Sequence, residues 1–266
     1  MPRFGLIVVG DEILSGKRID KHFAQVVALL GARGLRLAWA HYAGDRRNEL
    51  CALLRASFAT DDVVFSCGGI GATPDDHTRQ AAAAALGVVL ELHPEAAALI
   101  AQRCAALGQP DMSTADNRQR LKMGEFPCGA RIIPNPFNGI PGFALQRHYF
   151  VPGFPVMAWP MLEAVLERDF SADFGADVQV ERSMLVFETA ESLLVPAMEQ
   201  VELQFAEVTA FSLPSIGDGH DGRPARRHVE LGVKGPADRI DAAFAVMRAG
   251  VERLGVEFAL DRTGHA

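Results

Sequence analysis

Two stretches of the chain hold residue types suited to phosphate chemistry. The first is Gly10-Asp11-Glu12-Ile13-Leu14-Ser15-Gly16-Lys17, and the second is Gly68-Gly69-Ile70-Gly71-Ala72-Thr73-Pro74-Asp75-Asp76-His77-Thr78. Successive amides of a glycine-rich turn can converge on an anion, and the N-terminus of a following helix adds its dipole. Gly68, Gly69 and Gly71 supply such a turn, and Thr73 and Thr78 supply hydroxyl donors. Carboxylates beside a phosphate cradle repel the ligand unless a cation intervenes. Asp75 and Asp76, with Asp11 and Glu12, therefore read as hard oxygen ligands for Mg²⁺, Mn²⁺ or Co²⁺ bridging to phosphate oxygens. The plainer readings are a helix cap for Asp75 or Asp76 and a solvated strand end for Asp11 and Glu12. His77 reads as a first-turn helix residue, and Arg223–His228 as a solvated loop rather than a phosphate clamp.

Other signatures fail. A Walker A loop needs four residues between its glycines; five separate Gly10 from Gly16, and Arg18 stands where Ser or Thr is required. Gly69-x-Gly71 runs into Pro74, so no dinucleotide fingerprint opens a helix. The nucleophile-elbow, zinc-protease and EF-hand patterns are missing. Cys51, Cys67, Cys104 and Cys128 form no C-x-x-C pair and lack a His at zinc-site spacing, so they read as reduced thiols of a cytoplasmic protein. Cys67 lies in a buried strand, which argues against a nucleophile.

The elements that position these stretches follow from periodicity. Phe4–Val9 is a continuous apolar run, as in a strand buried on both faces. The reading continues with a loop over 10–16 and a helix capped by Asp20 whose stripe is Phe23, Val26, Val27 and Leu30. A strand follows over 35–42, then a helix capped by Asn48, a strand over 63–66 and a helix over 78–86. Pro94 starts another helix. From Cys128 to Gly153 short strands (130–133, 149–151) sit among Pro-Gly turns, and a helix with Met157, Met161, Leu162 and Val165 follows. Alternating strands and helices imply an α/β fold with a mostly parallel sheet covered on both faces. A polar break over 169–177 separates a first domain, 1–168, from a second, 175–266, that reads as a small α+β domain of order β-α-β-β-α with a long mobile loop over 214–227.

The 266 residues correspond to one large or two unequal domains. Apolar residues are 49%, charged residues 22% and the net charge is −7, with pI about 5.6, which disfavours disorder and a dedicated DNA-binding surface. The six-residue N-terminal apolar run ends in Gly-Asp-Glu and reads as a strand rather than a signal peptide; nothing approaches a membrane span.

Taken together, GDEILSG, GGIGATPDDHT, NPFNGIPGF and HYFVPGFP resemble, in that order, the motifs of the CinA-type (competence/damage-inducible) molybdopterin-binding-like family. The resemblance covers about residues 1–168 and implies the fold of MoaB and Mog, a three-layer αβα sandwich; the remainder resembles the small α+β domain that follows in CinA. It implies one of two activities: metal-dependent pyrophosphatase action on ADP-ribose or a similar nucleotide diphosphate, or molybdopterin binding and adenylylation. A non-catalytic nucleotide- or pterin-binding module is a third reading. On the first, Asp75 and Asp76 are catalytic and share the metal with Asp11 and Glu12. Phosphate and substrate would be held by Gly68, Gly69, Gly71, Thr73, Thr78, Ser15, Gly16 and Lys17, with Arg18 as an alternative cation. Asn138, Pro141, Gly142, Pro152 and Gly153 would wall the base or pterin pocket. A dimer or trimer is expected, with no DNA and no membrane partner. The amidohydrolase domain of full-length CinA, and nicotinamide-nucleotide deamidation with it, are not expected within these residues. Ala72 replaces the family's usual Pro, and Asp20-Lys21-His22 replaces its frequent Asp-Thr-Asn.

Overall fold

The computed structural model describes residues 2–175, 179–217 and 225–260. The chain divides into two compact units, Met1–Ala176 and Asp177–Ala266.

In the first unit the elements run β1 (Phe4–Val9), α1 (Asp11–Leu14), α2 (His22–Gly31), β2 (Leu37–Ala43), α3 (Arg47–Phe58), β3 (Val63–Cys67), α4 (Thr78–Leu86), β4 (Leu90–Leu92), α5 (Pro94–Ala106) and α6 (Ala115–Leu121). Then come β5 (Glu125–Pro127), β6 (Arg131–Ile133), β7 (Gly142–Leu145), β8 (His148–Val151) and α7 (Pro155–Asp169). The main sheet has the order β2-β1-β3-β8-β7-β6. Its first four strands are parallel, with Val8 opposite Cys67 and Cys67 opposite Val151, and β7 and β6 close the sheet antiparallel.

Strand alternation sorts the side chains into two cores. Leu6, Val8, Phe65, Cys67 and Val151 face α2 and α7. Ile7, Val9, Val64 and Phe150 face the other way, toward α3, α4 and the start of α5. A sheet with helices on both faces is the three-layer sandwich expected. Ala81 and Ala82 on α4 are fully buried, so small side chains let this helix lie close to the sheet. Because β1, β3 and β8 are parallel, their carboxyl ends share one edge, where open α/β sheets bind ligands. The segments after Val9, Cys67 and Val151 all leave from it.

Several local expectations change. Residues 10–16 are not all loop: α1 is one helical turn. Asn48 lies inside α3, whose cap is Arg46. The buried stripe of α2 is His22, Val26 and Leu30, while Phe23 and Val27 are half exposed, because the helix is rotated relative to the expected stripe. Gly142 is not turn punctuation; it opens the fully buried strand β7. The short elements β4, β5 and α6 carry too few residues for periodicity to show.

The second unit runs β9 (Val180–Phe187), α8 (Val195–Gln204), β10 (Thr209–Ser215), β11 (His228–Gly235), α9 (Ala237–Arg253) and β12 (Phe258–Leu260). Its antiparallel sheet has the order β10-β11-β9-β12 and packs with both helices around Met184, Val201, Leu231, Phe244 and Met247. β12 is an addition to the expected order. The loop expected over 214–227 overlaps residues 218–224, which lie outside the described residues. No helix among the described residues is long and apolar enough to cross a membrane.

Candidate active site

The loop after β3 is shaped by bonds to its carbonyls. The Thr78 hydroxyl donates to the Gly68 carbonyl (3.0 Å), and the Thr78 amide donates to the Gly69 carbonyl (3.0 Å). The Arg79 guanidinium donates to the Gly71 carbonyl (2.5 Å), and the Gln119 amide to the Ala72 carbonyl (2.5 Å). In a trans peptide, N–H points opposite to the C=O of the preceding residue. Pinning the carbonyls of residues 68, 69 and 71 therefore turns the amides of Gly69, Ile70 and Ala72 the other way. The amides of Gly69, Ile70, Gly71 and Ala72 find no acceptor among the described residues. Gly68 has φ +111°, and a Cβ there would lie 2.3 Å from the Val9 carbonyl, so no other residue fits.

The residues that carry these amides line a cavity of about 410 Å³ at the carboxyl edge of the sheet. From the expected site residues it gathers Glu12, Gly68, Gly69, Gly71, Thr73, Asp75 and Asp76. Asn138, Pro141, Pro152 and Gly153 form the opposite wall. Asp76 is turned onto its own loop, accepting from the Thr73 amide (2.8 Å) and the Thr73 hydroxyl. Asp75 is exposed, and Thr73 together with Asp75's own amide holds its carboxyl below the usual carboxylate range. Glu12 lies over Gly10, where an added Cβ would meet its carboxylate at 2.6 Å.

Other expected residues stand apart from this cavity. Lys17 lines a neighbouring one. Asp11 is paired with Asp45: the Asp11 amide donates to the Asp45 carboxylate (2.9 Å), and the Asp45 amide donates to the Asp11 carboxylate (3.2 Å). Ser15 and Gly16 are exposed at the end of α1, and Ser15 spends its amide on the Asp11 carbonyl. Thr78 is fully buried, its hydroxyl committed to Gly68, so it shapes the loop rather than offering a donor to a ligand. Gly142 is packed against the Phe150 carbonyl, which an added Cβ would approach to 2.3 Å.

The structure also brings in residues that the motifs did not mark. Asp45 lines the cavity, and its carboxyl is raised by burial and by the nearby charges of Asp11, Glu12 and Asp75. Nothing in its local sequence signals this; it arrives from the end of β2. Arg79, 2% exposed, reaches the loop from within α4, and burial lowers its pKa. Asn135 accepts from the Phe137 amide and donates to Asn138 Oδ1 and the Ile140 carbonyl, fixing the wall that carries Asn138. Met123, Phe154 and Met157 give the cavity an apolar side.

Among the described residues no three His, Cys, Asp or Glu side chains stand at metal-holding geometry. The donor set nevertheless suits a hard divalent cation. Glu12, Asp45 and Asp75 offer carboxylate oxygens around one cavity, and like charges help raise the Asp45 pKa, a repulsion that a cation would relieve. Mg²⁺ commonly takes one or two carboxylates and completes its shell with water and substrate phosphate, so a complete protein cage is not required.

Residues 5–171 match the family described as the probable molybdopterin binding domain. A CinA-like protein of Anaeromyxobacter sp. (strain Fw109-5) is 34% identical over 200 residues, covering 74% of this chain and 47% of that protein. The chain thus spans about half the length of such a relative. A protein of Pyrobaculum calidifontis is 27% identical over 262 residues, covering 97% of this chain and 98% of its own. Among solved structures, the crystal structure of the protein CinA, of unknown function, from Thermoplasma acidophilum superposes with a TM-score of 0.54 at 30% identity, covering 62% of this chain and 96% of that one.

Proposed function

Since the chain belongs to the CinA-type molybdopterin-binding-like family, we propose that it is a divalent-metal-dependent nucleotide pyrophosphatase acting on ADP-ribose or a similar dinucleotide. The observation that carries this reading is one cavity that combines unpartnered loop amides with carboxylates. Amides alone would suit any small anion; carboxylates beside them suit a phosphate that arrives with a metal.

Glu12 and Asp75 are the residues to hold Mg²⁺, Mn²⁺ or Co²⁺, with Asp76 bracing the loop through Thr73. When bound, the metal supplies positive charge to the phosphate oxygens and acidifies water. The amides of residues 69–72 orient the phosphate, and their fixed dipoles need no reorganisation as charge moves onto its oxygens. Asp45, with its raised pKa, is suited to accept the proton of the attacking water. Water oxygen bonds to phosphorus, the P–O–P bridge breaks, and two monophosphates leave. Asn138 and the apolar wall of Phe154 and Met157 would hold the base.

A second reading, molybdopterin binding or adenylyl transfer, is favoured by the description of the matched family. The same cradle would serve a pterin phosphate. The cytoplasm is the proposed compartment, in keeping with four cysteines free of disulfides. A homodimer or homotrimer is proposed as the assembly.

The test is nucleotide release from ADP-ribose and related dinucleotides with each metal, for the wild type and Asp75→Asn. Metal-dependent release of AMP, lowered at least 100-fold in a folded Asp75→Asn, is expected. Folded wild-type protein that binds molybdopterin but turns over no dinucleotide with any metal overturns the proposal in favour of the second reading.

A further inference from the structure

A second cavity, of about 490 Å³, adjoins the first and shares with it Val9, Glu12, Arg18, Gly153 and Phe154. Its charge is of the opposite kind. The first cavity gathers Glu12, Asp45, Asp75 and Asp76 against one cation, Arg18. The second gathers Lys17, Arg18 and Lys21 against one carboxylate, Glu12. None of these three cations forms an ion pair or hydrogen-bonds a side chain among the described residues.

The segment that carries them is held in place. Asp20, between Arg18 and Lys21, accepts from the His22 amide (2.7 Å), the Phe23 amide (3.0 Å) and the Tyr42 hydroxyl (2.8 Å). The nearest acid in sequence is thus committed to capping α2 and leaves the lysines unneutralised. His22 lines the cavity and is 4% exposed. Its Nε2–H donates to the Gly153 carbonyl (3.1 Å), and Nδ1 has no partner among the described residues. A carbonyl only accepts, so the hydrogen sits on Nε2, and this bond ties the start of α2 to the turn at Gly153.

We infer that the second cavity is a metal-independent subsite for a phosphorylated sugar, the half of the diphosphate substrate that leaves when the bridge breaks. This rests on the pyrophosphatase reading. Lysine and arginine bind a phosphate directly, as point charge and fork, whereas the carboxylate-rich neighbour needs a cation between itself and its phosphate. Glu12, Arg18 and Gly153 line both cavities, and a P–O–P bridge would cross beside them. The same chemistry serves a free sugar phosphate, so the test separates a substrate subsite from an independent effector site.

The experiment is calorimetric titration with ribose 5-phosphate in EDTA, using the whole chain as wild type, Lys21→Ala and Lys17→Ala/Lys21→Ala. Binding without metal is expected, at least 5-fold weaker in Lys21→Ala and at least 20-fold weaker in the double variant. Salt should weaken it as well, because exposed charges are screened. Competitive inhibition of ADP-ribose hydrolysis by ribose 5-phosphate identifies a substrate subsite; binding without competition identifies an effector site and overturns the inference. Unchanged affinity in the double variant, or no binding in EDTA by wild type that hydrolyses ADP-ribose, also overturns it while leaving the pyrophosphatase reading intact. Wild type that binds ribose 5-phosphate in EDTA but hydrolyses nothing overturns that reading, and this subsite's role in it.

Discussion

Asp75 and Asp76 are neighbours with different work. Thr73 engages Asp76 with both amide and hydroxyl, so Asp76 sets the loop, while Asp75 is exposed with its carboxyl held in the charged form by Thr73 and its own amide. Gly68 is the stricter requirement. Its positive φ and the Val9 carbonyl 2.3 Å from any Cβ combine strain with a clash. Gly68→Ala is expected to cost roughly 2–4 kcal/mol in urea denaturation, and to lower turnover even where the protein stays folded. A different residue governs acid stability. His148 is buried beside Ser57 and packs against the tilted ring of Phe58, and burial lowers its pKa to about 4. The unfolded chain, with His near 6.5, binds the proton first, so stability is full above about 6.5 and falls as pH drops toward 4. The loss is of the order of 3 kcal/mol. His148→Phe should flatten the pH dependence of Tm in that window; an unchanged slope would assign the acid sensitivity to other groups.

At the scale of elements, the loop after β3 is shaped by helices whose residues bind its carbonyls: Thr78 and Arg79 on α4 and Gln119 on α6. Arg79 on α4 is the main anchor, reaching the carbonyls of Gly71, Lys122 and Glu125. Arg79→Met removes a buried donor and leaves these acceptors unmatched, at an expected cost of about 2–4 kcal/mol. Hydrogen exchange should then quicken at the start of α4 and within 68–73 before it does in β1; equal quickening everywhere would mean that Arg79 stabilises the unit as a whole. The strands β1 and β3 were legible because each is an unbroken apolar run. β7 was not, because Pro141-Gly142 reads as a turn, yet Gly142 is there to let β7 lie against the Phe150 carbonyl. α1 was hidden by flanking glycines, and its direction takes Asp11 to Asp45. The glycine loop with Asp75 could be read from spacing alone; Asp45 and Arg79 could not, since each reaches the site through tertiary packing.

For the whole molecule, the candidate site and the core that positions it lie within the first unit, and the second has its own core around Leu231 and Met247. Leu231→Ala should cost about 2–5 kcal/mol in the unfolding of the second unit. Below that transition, turnover per folded molecule should stay within twofold of wild type. A larger fall would show that the second unit contributes to the chemistry. The acidic net charge fits a small ligand better than a polyanion, and the two cavities differ in balance: carboxylates outnumber cations in the first and cations outnumber carboxylates in the second.

In the function proposed, the amides of Gly69, Ile70, Gly71 and Ala72 hold a phosphate beside a carboxylate-bound metal. Backbone amide NMR during titration with AMP, followed by Mn²⁺, tests it most directly. The prediction is that these four resonances shift with AMP and broaden selectively when Mn²⁺ is added, with the broadening reduced in Asp75→Asn. Resonances unmoved at saturating AMP, or broadening centred elsewhere on the chain, would contradict it.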